Sequence, residues 1–427
     1  MQHFSSFISF YEWLENKSSF HMKLGLERIE TVLKNLNIYQ PNYKIIQVVG
    51  TNGKGSSSSF ISFLSQYNGY KTGLYTSPHF ISVRERILID SKPLPEELWL
   101  EYANIIIDAG GEVLTYFEFI TVLAVLAFSK NKVQVGVFEA GLGGLNDATS
   151  VLDADLHLFT PIALDHKAII GPELKNIAED KSGAISARSI VVSTTQKVEV
   201  ENILSKAAQE KNALFIKLDK KQFSLPEEFL TGAKQLGLLG KHQQENALLA
   251  LTGWRLFAEK HAFNNDEKMN IKALEKTFIA GRLQRVQLNR AGKPHFFLLD
   301  AAHNPHGMAT LGKSLGEAGV RPSACVFTCM SDKDINGLVA NLRVLCPAPV
   351  FIPELFNNPR SVAASVLAEK IGMAAMAVKN FEEALNKACE FAEKEELNIE
   401  TQPILICGSL YLLAEFFTVY PEYLIKD

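Results

Sequence analysis

The sequence predicts an α/β fold in two domains. Three observations carry this. Short, β-rich apolar runs alternate with longer helical patterns along the 427 residues, which implies crossover units and parallel sheets. One such run leads into a glycine-rich loop bearing Lys54 and then into a helical stretch. A polar stretch at 261–268 interrupts the alternation, and the strand series restarts near Phe296. The length suits two or three domains at roughly 100–200 residues each. We place one boundary near residue 280. This gives domains 1–280 and 281–427, the second about half the size of the first.

The elements follow in order. Candidate strands lie at 45–49, 72–75, 133–138, 156–160, 190–193 and 213–217, each a short run rich in β-branched or aromatic residues. Helical stretches separate them at 57–67, 116–128, 199–211 and 244–258. A second series has strands at 296–300, 325–330, 350–352 and 403–407, with a helix at 381–394. The apolar run at 119–128 is about half the length of a membrane span. No fixed-period repeat or low-complexity segment is visible.

Composition narrows the class. A composition of 47% hydrophobic and 21% charged residues argues against disorder, collagen and coiled coil. A net charge of -4 without any block of like charge weakens a nucleic-acid role. The first twenty or so residues lack a basic region followed by an apolar core, so they do not read as a signal peptide. The five cysteines, Cys325, Cys329, Cys346, Cys389 and Cys407, show no paired metal or redox spacing. They read as reduced, mostly buried thiols of a cytosolic protein.

The loop after the first strand reads Gly50-Thr51-Asn52-Gly53-Lys54-Gly55-Ser56. Strand, glycine-rich loop, Lys, Ser and helix are the parts of a phosphate cradle. Glycines let backbone N–H groups point inward, and the helix N-terminus adds partial positive charge. Lys54 can reach the β- and γ-phosphates, and the Ser56 hydroxyl can ligate Mg²⁺. The spacing departs from the standard Walker pattern, with the first glycine two residues closer and Gly55 intervening. Glu139 ends the third strand, and His166 follows the fourth by a few residues. In an open α/β sheet both face the crevice at the carboxyl strand ends. A carboxylate, an imidazole and a hydroxyl suit a partly hydrated divalent cation.

These segments resemble the folylpolyglutamate synthase/dihydrofolate synthase family, relatives of the Mur peptide ligases. Besides the loop, the similar segments run in order along most of the chain. They are Leu24-Gly25-Leu26-Glu27-Arg28-Ile29, Tyr75-Thr76-Ser77-Pro78-His79, Arg84-Glu85-Arg86-Ile87, Thr115-Tyr116-Phe117-Glu118 and Glu139-Ala140-Gly141-Leu142-Gly143-Gly144. Then come Ala163-Leu164-Asp165-His166, His242-Gln243 with Asn246, and Gly281-Arg282. Last are Asp300-Ala301-Ala302-His303-Asn304-Pro305-His306, Asp332-Lys333-Asp334 and Gly408-Ser409-Leu410-Tyr411.

The resemblance implies an N-terminal P-loop-type ATPase domain with a mainly parallel sheet, and a smaller Rossmann-like C-terminal domain. It implies an ATP-dependent ligase that adds L-glutamate to dihydropteroate and to reduced folates through an acyl phosphate. Thr51, Asn52, Gly53, Lys54, Gly55, Ser56, Asn246, Arg282 and Asp300 would bind ATP. Ser77, Glu139 and His166 would hold one Mg²⁺ and Ser56 a second. Lys181 matches a lysine that is carbamylated in the family, and Lys54, Lys181 and His303 would carry the catalysis. Thr115, Phe117, Asp147 and Ala148 would bind the pterin; His303 and Ser409 would hold the glutamate. A cytoplasmic monomer without nucleic-acid or membrane partners is expected.

Plainer roles exist for several of these. Phe117 could be core packing, Lys181 an exposed lysine, and Asp300 or Ser409 a helix N-cap. His157, inside a strand, reads as core or pocket lining. The sequence also departs from the family pattern. Leu145 and Asn146 stand where an arginine and a bulky apolar residue are usual, and Ser150 replaces an asparagine. Lys167 and Ala168 replace a threonine and an aspartate. The lost arginine removes a rigid five-donor fork, so the departures bear on the acid substrate more than on ATP. The competing readings are a Mur-type or cyanophycin-synthetase-like ligase for another acid, an NTPase switch and an inactive binding protein. The Thr115–Glu118 segment favours the folate branch. A second α/β domain and intact Lys54, Glu139 and His166 disfavour the other two.

Overall fold

A computed structural model describes residues 3–18, 25–165, 170–219, 222–290, 292–356, 358–394 and 402–425. The chain forms two compact units, one of residues 1–236 and 245–277, the other of 237–244 and 278–427.

The first unit is built on an eight-stranded sheet. Its strands are β1 (Lys44–Val49), β2 (Thr72–Tyr75), β3 (Ile87–Ile89), β4 (Lys92–Pro93), β5 (Val135–Glu139), β6 (Leu156–Phe159), β7 (Ile190–Ser193) and β8 (Leu214–Lys217). The spatial order is β4-β3-β2-β5-β1-β6-β7-β8. All neighbours are parallel except around β3, which runs antiparallel to β2 and β4. The central strands are buried along nearly their whole length, which is why they read as continuous apolar runs rather than alternating ones. The helix Tyr116–Lys130 is buried from Glu118 through Phe128. A helix apolar on all sides belongs to a core, and this one packs with Phe10, Trp99 and Tyr75 in one cluster. No helix among the described residues is long and apolar enough to cross a membrane.

The second unit carries a six-stranded sheet. Its strands are β9 (Gln284–Arg290), β10 (Lys293–Leu299), β11 (Ala324–Phe327), β12 (Val350–Pro353), β13 (Ala375–Val378) and β14 (Ile404–Cys407). The order is β13-β12-β11-β14-β10-β9, parallel except for β9, which forms a hairpin with β10. All five cysteines are free and buried, and four of them lie in this unit's main core cluster.

Four strands were not anticipated: β3, β4, β9 and β13. The first two are only three and two residues long. β9 alternates exposed and buried positions as Gln-Arg-Val-Gln-Leu-Asn-Arg, so its apolar signal is thin. β13 is an edge strand with exposed Met376 and Ala377, and edges carry less apolar patterning.

Candidate active site

Parallel pairing brings four strand ends to one edge of the first sheet. Val48 is in register with Glu139, Val49 with Phe159, and Tyr75 with Phe138. The segments that follow β1, β2, β5 and β6 therefore leave the sheet side by side, at the position where open α/β sheets collect ligands.

The phosphate loop follows β1. Gly53 has φ of 88° and caps the helix Lys54–Tyr67. A Cβ there would lie 2.6 Å from the Asn246 side-chain oxygen, so the position needs glycine. The Thr51 hydroxyl donates to Ala163 O at 3.1 Å and accepts the Ala163 N–H at 3.0 Å. The Thr51 N–H donates to Pro161 O at 3.0 Å. These bonds tie the loop to the segment after β6. Lys54 Nζ donates to Gly50 O and Thr51 O, both at 3.2 Å, so the ammonium lies over the loop that would cradle phosphate. Ser56 is 2% exposed in the first turn of the helix.

The expected metal ligands meet in part. Glu139 is buried, and its Oε2 accepts the Ser77 N–H at 3.1 Å. His166 lies outside the described residues, as do Lys167 and Ala168. Among the described residues no group of three or more His, Cys, Asp and Glu could hold a metal ion. A carboxylate and serine hydroxyls would supply oxygen donors, which fit a partly hydrated Mg²⁺ rather than a soft metal.

Lys181 stands in the last turn of the helix Leu174–Ser182. It is 5% exposed, and Nζ donates to Gly143 O at 3.4 Å. Burial first, and then the Lys54 ammonium, bring its pKa down to about 7 against the pull of Asp180, Asp147 and Asp165. It is therefore not an exposed lysine. Gly144 allows the close approach, since a Cβ there would lie 2.6 Å from Lys181 Cα.

The residues expected around the pterin are held tightly. Thr115 caps the helix Tyr116–Lys130 in a reciprocal box with Glu118, whose carboxylate pairs with Arg28 at 2.9 Å. The Phe117 ring presses on Gly141, where a Cβ would lie 2.5 Å from Cζ. Asp147 Oδ2 accepts the Gly141 and Leu142 N–H groups at 2.9 Å. Its Oδ1 accepts the Thr149 N–H at 3.0 Å and the Thr149 hydroxyl at 2.5 Å. A carboxylate offers about four lone-pair sites, so this one is committed to its own loop. Ala148 is buried beside it. Leu145, at the departure from the family pattern, is 54% exposed.

Nearby, Arg86 donates from Nε to His79 Nδ1 at 2.9 Å and stacks 5.3 Å from the Tyr116 ring centroid. Burial, then Arg86, lowers the His79 pKa to about 3. The segments holding Arg86 and His79 were legible, but nothing in the sequence paired the two side chains. His157 is a core residue. It is fully buried, accepts the Ser186 N–H at 3.0 Å, and has its pKa lowered by burial to about 3.

In the second unit, Asp300 follows β10. Its Oδ2 accepts the Leu283 N–H at 3.0 Å and its Oδ1 the Ala302 N–H at 2.9 Å. Burial raises its pKa, opposed first by Arg282. The helix Pro305–Glu317 is capped by Asn304, not Asp300. His303 Nδ1 lies 2.8 Å from Ala301 O, so that nitrogen carries the proton and donates. Ser409 caps the helix Leu410–Val419, accepts the Tyr411 N–H at 3.1 Å, and is 1% exposed. Thus Thr51–Ser56, Ser77, Glu139, Lys181, Asn246 and the pterin set belong to the first unit. Arg282, Asp300, His303 and Ser409 belong to the second.

A parallel-sheet phosphate-loop unit followed by a second α/β unit defines a class, the Mur-type ligases. Residues 281–410 match the family model "Mur ligase, glutamate ligase domain". The dihydrofolate synthase/folylpolyglutamate synthase of Escherichia coli is 30% identical, with 97% of this chain and 96% of that protein covered. The Bacillus subtilis protein of the same name is 29% identical, covering 96% and 98%. Among solved structures, E. coli FolC in complex with DHPP and ADP superposes with a TM-score of 0.84 at 26% identity, with 99% of each chain covered. The bifunctional Yersinia pestis enzyme complexed with AMPPNP and Mn ion gives 0.85 at 26%, again with 99% of each covered. The chain belongs to the dihydrofolate synthase/folylpolyglutamate synthase family and is an ATP-dependent acid–amino-acid ligase.

Proposed function

We propose that this enzyme joins L-glutamate to dihydropteroate and extends reduced folates with further glutamates, using ATP and Mg²⁺. The observation that carries the reading is the grouping of Lys54, the Ser77–Glu139 contact and a buried Lys181 of lowered pKa at one sheet edge. The named relatives, and the neighbours solved with ADP, DHPP, AMPPNP and Mn, support it.

In this mechanism a carboxylate oxygen of the acid attacks the γ-phosphorus, and the bond to ADP breaks. Lys54 and the loop amides stabilise the charge in flight. The amine of glutamate then attacks the acyl carbon. The C–O bond to phosphate breaks, inorganic phosphate leaves, and the amine gives up a proton. With Nδ1–H bound to Ala301 O, His303 presents Nε2 as the acceptor for that proton. Ser77, Glu139 and His166 would hold one Mg²⁺ and Ser56 a second, and these ions would neutralise phosphate charge. Lys181, whose pKa burial and Lys54 lower, is suited to carbamylation. Nζ bonds to the carbon of CO₂ and releases a proton, and the ammonium is replaced by a carboxylate-like group beside the cation.

Domain 1–280 would supply nucleotide, metal and pterin contacts, with Thr51, Asn52, Gly53, Gly55 and Asn246 on ATP and Thr115, Phe117 and Ala148 on the pterin. Asp147 would act there chiefly by holding the loop. Domain 281–427 would supply Arg282 and Asp300 to ATP, and His303 and Ser409 to glutamate. A cytoplasmic monomer fits the reduced cysteines and the balanced charge.

The test is purified protein with ATP, Mg²⁺, dihydropteroate and labelled glutamate. Labelled dihydrofolate supports the proposal. ADP release only with another acid moves the enzyme to a different Mur-type substrate, and acid-independent ADP release defeats the ligase mechanism. His166→Ala is expected to abolish ligation while the protein stays folded.

A further inference from the structure

The strand leading into the phosphate loop carries a buried amide. Gln47, in the middle of β1, is 1% exposed. Burying an amide is unfavourable unless it is hydrogen-bonded, and Gln47 is bonded in a specific direction. Its Nε2 donates to Thr149 Oγ1 at 2.8 Å and to Ser150 Oγ at 3.0 Å. The Thr149 hydroxyl itself donates to Asp147 Oδ1 at 2.5 Å. Asp147 Oδ2 in turn receives the backbone N–H groups of Gly141 and Leu142. An amide, a hydroxyl, a carboxylate and two backbone amides thus form one continuous line, from β1 to the turn that follows Glu139.

The polarity of that line dictates how the amide stands. Because the Thr149 hydroxyl donates to Asp147, Thr149 Oγ1 can only accept from residue 47, so the NH₂ end must face it. The carbonyl end then faces away. The register partner of Gln47 on β6 is His157, also fully buried. Since His157 Nε2 accepts the Ser186 N–H, its proton sits on Nδ1. Among the described residues Gln47 Oε1 and His157 Nδ1 have no hydrogen-bond partner, and they are an acceptor and a donor on paired strands.

The far end of the line indicates what it serves. Gly141 packs against Phe117, the ring proposed to meet the pterin. The phosphate loop is tied down separately, by Thr51 to Pro161 and Ala163. Gln47 also donates to the hydroxyl of Ser150, the residue that stands in place of the family's usual asparagine.

We infer that Gln47 is a positioning residue for the acid substrate, acting through Thr149 and Asp147 on the 140–146 loop. The inference rests on the proposed ligase reading. The experiment compares Gln47→Leu, Thr149→Val, Ser150→Ala and the Gln47→Leu/Thr149→Val double variant in the full chain. KM is measured separately for dihydropteroate and for ATP. Each of the first two variants is expected to raise the dihydropteroate KM on the order of tenfold and to leave the ATP KM within about twofold, and the double variant is expected to be no worse than the more impaired of the two single variants. Ser150→Ala, which keeps the Thr149 bond, shows a smaller change. Parallel loss for both substrates, or strictly additive effects, overturns the inference. So does a soluble Thr149→Val enzyme with normal constants if Gln47→Leu fails to fold. A wild-type enzyme inert toward dihydropteroate fails the ligase reading itself, a separate result.

Discussion

Lys181 Nζ donates to Gly143 O at 3.4 Å, which fixes a buried lysine on the turn that follows Glu139. An ammonium in that position loses hydration and feels Lys54, so its pKa is drawn down to about 7. Carbamylation needs the neutral amine. We expect activity to fall as pH drops below 7 and to rise with added bicarbonate, and Lys181→Ala to lose both dependences along with most turnover. A carbamate resonance from ¹³C-bicarbonate, present in the wild type and absent in the variant, checks the assignment. Activity indifferent to bicarbonate would count against it.

Lys54 is proposed to supply the positive charge of the phosphate loop. Lys54→Ala is expected to reduce the turnover number about 100-fold or more, the scale of losing one preorganised charge-stabilising donor. The thermal midpoint should stay close to wild type, because the two bonds Lys54 makes are to backbone carbonyls of its own loop. Steady-state kinetics beside a melting curve separate the two effects.

Gly53→Ala tests the loop itself. The position has φ of 88°, and a Cβ would crowd Asn246. The left-handed backbone alone costs an L-residue about 1–2 kcal/mol. We expect a lower melting temperature together with weakened ADP binding by calorimetry. A variant that binds ADP normally would show that the loop does not hold the nucleotide.

Two histidines are expected to make the first unit acid-sensitive. His79 and His157 have pKa values lowered to about 3, against about 6.5 in an unfolded chain. The unfolded chain binds more protons between those values, so their contribution is fully present above pH 6.5 and is lost as pH falls toward 3. Melting temperature should decline across that window. His157→Gln, which keeps an acceptor for the Ser186 N–H, should flatten the decline.

Much of the site was legible because its residues sit in local patterns. Strand, glycine loop, Lys and helix are contiguous, and Gly50 to Ser56 needs no distant partner to be recognised. Glu139 at a strand end could be placed by the parallel-sheet rule alone. Asp147 was harder. Its residue type suits a pterin acceptor, but its four hydrogen bonds come from Gly141, Leu142 and Thr149. That commitment depends on the path of the backbone. Gln47 passed as part of an apolar strand, although one amide inside Ile-Ile-Gln-Val-Val was the available signal.

The sequence by itself determined the α/β alternation, the phosphate loop and the order of the ligase segments, because hydrophobic period and loop chemistry are set within a few residues. Only the tertiary structure decided that Lys181 is buried with a lowered pKa, that Arg86 pairs with His79, and that Gln47 bonds Thr149 and Ser150. Each of these depends on side chains brought together from separate strands and helices. Burial and hydrogen-bond partnership are properties of that packing, and a linear pattern does not encode them residue by residue.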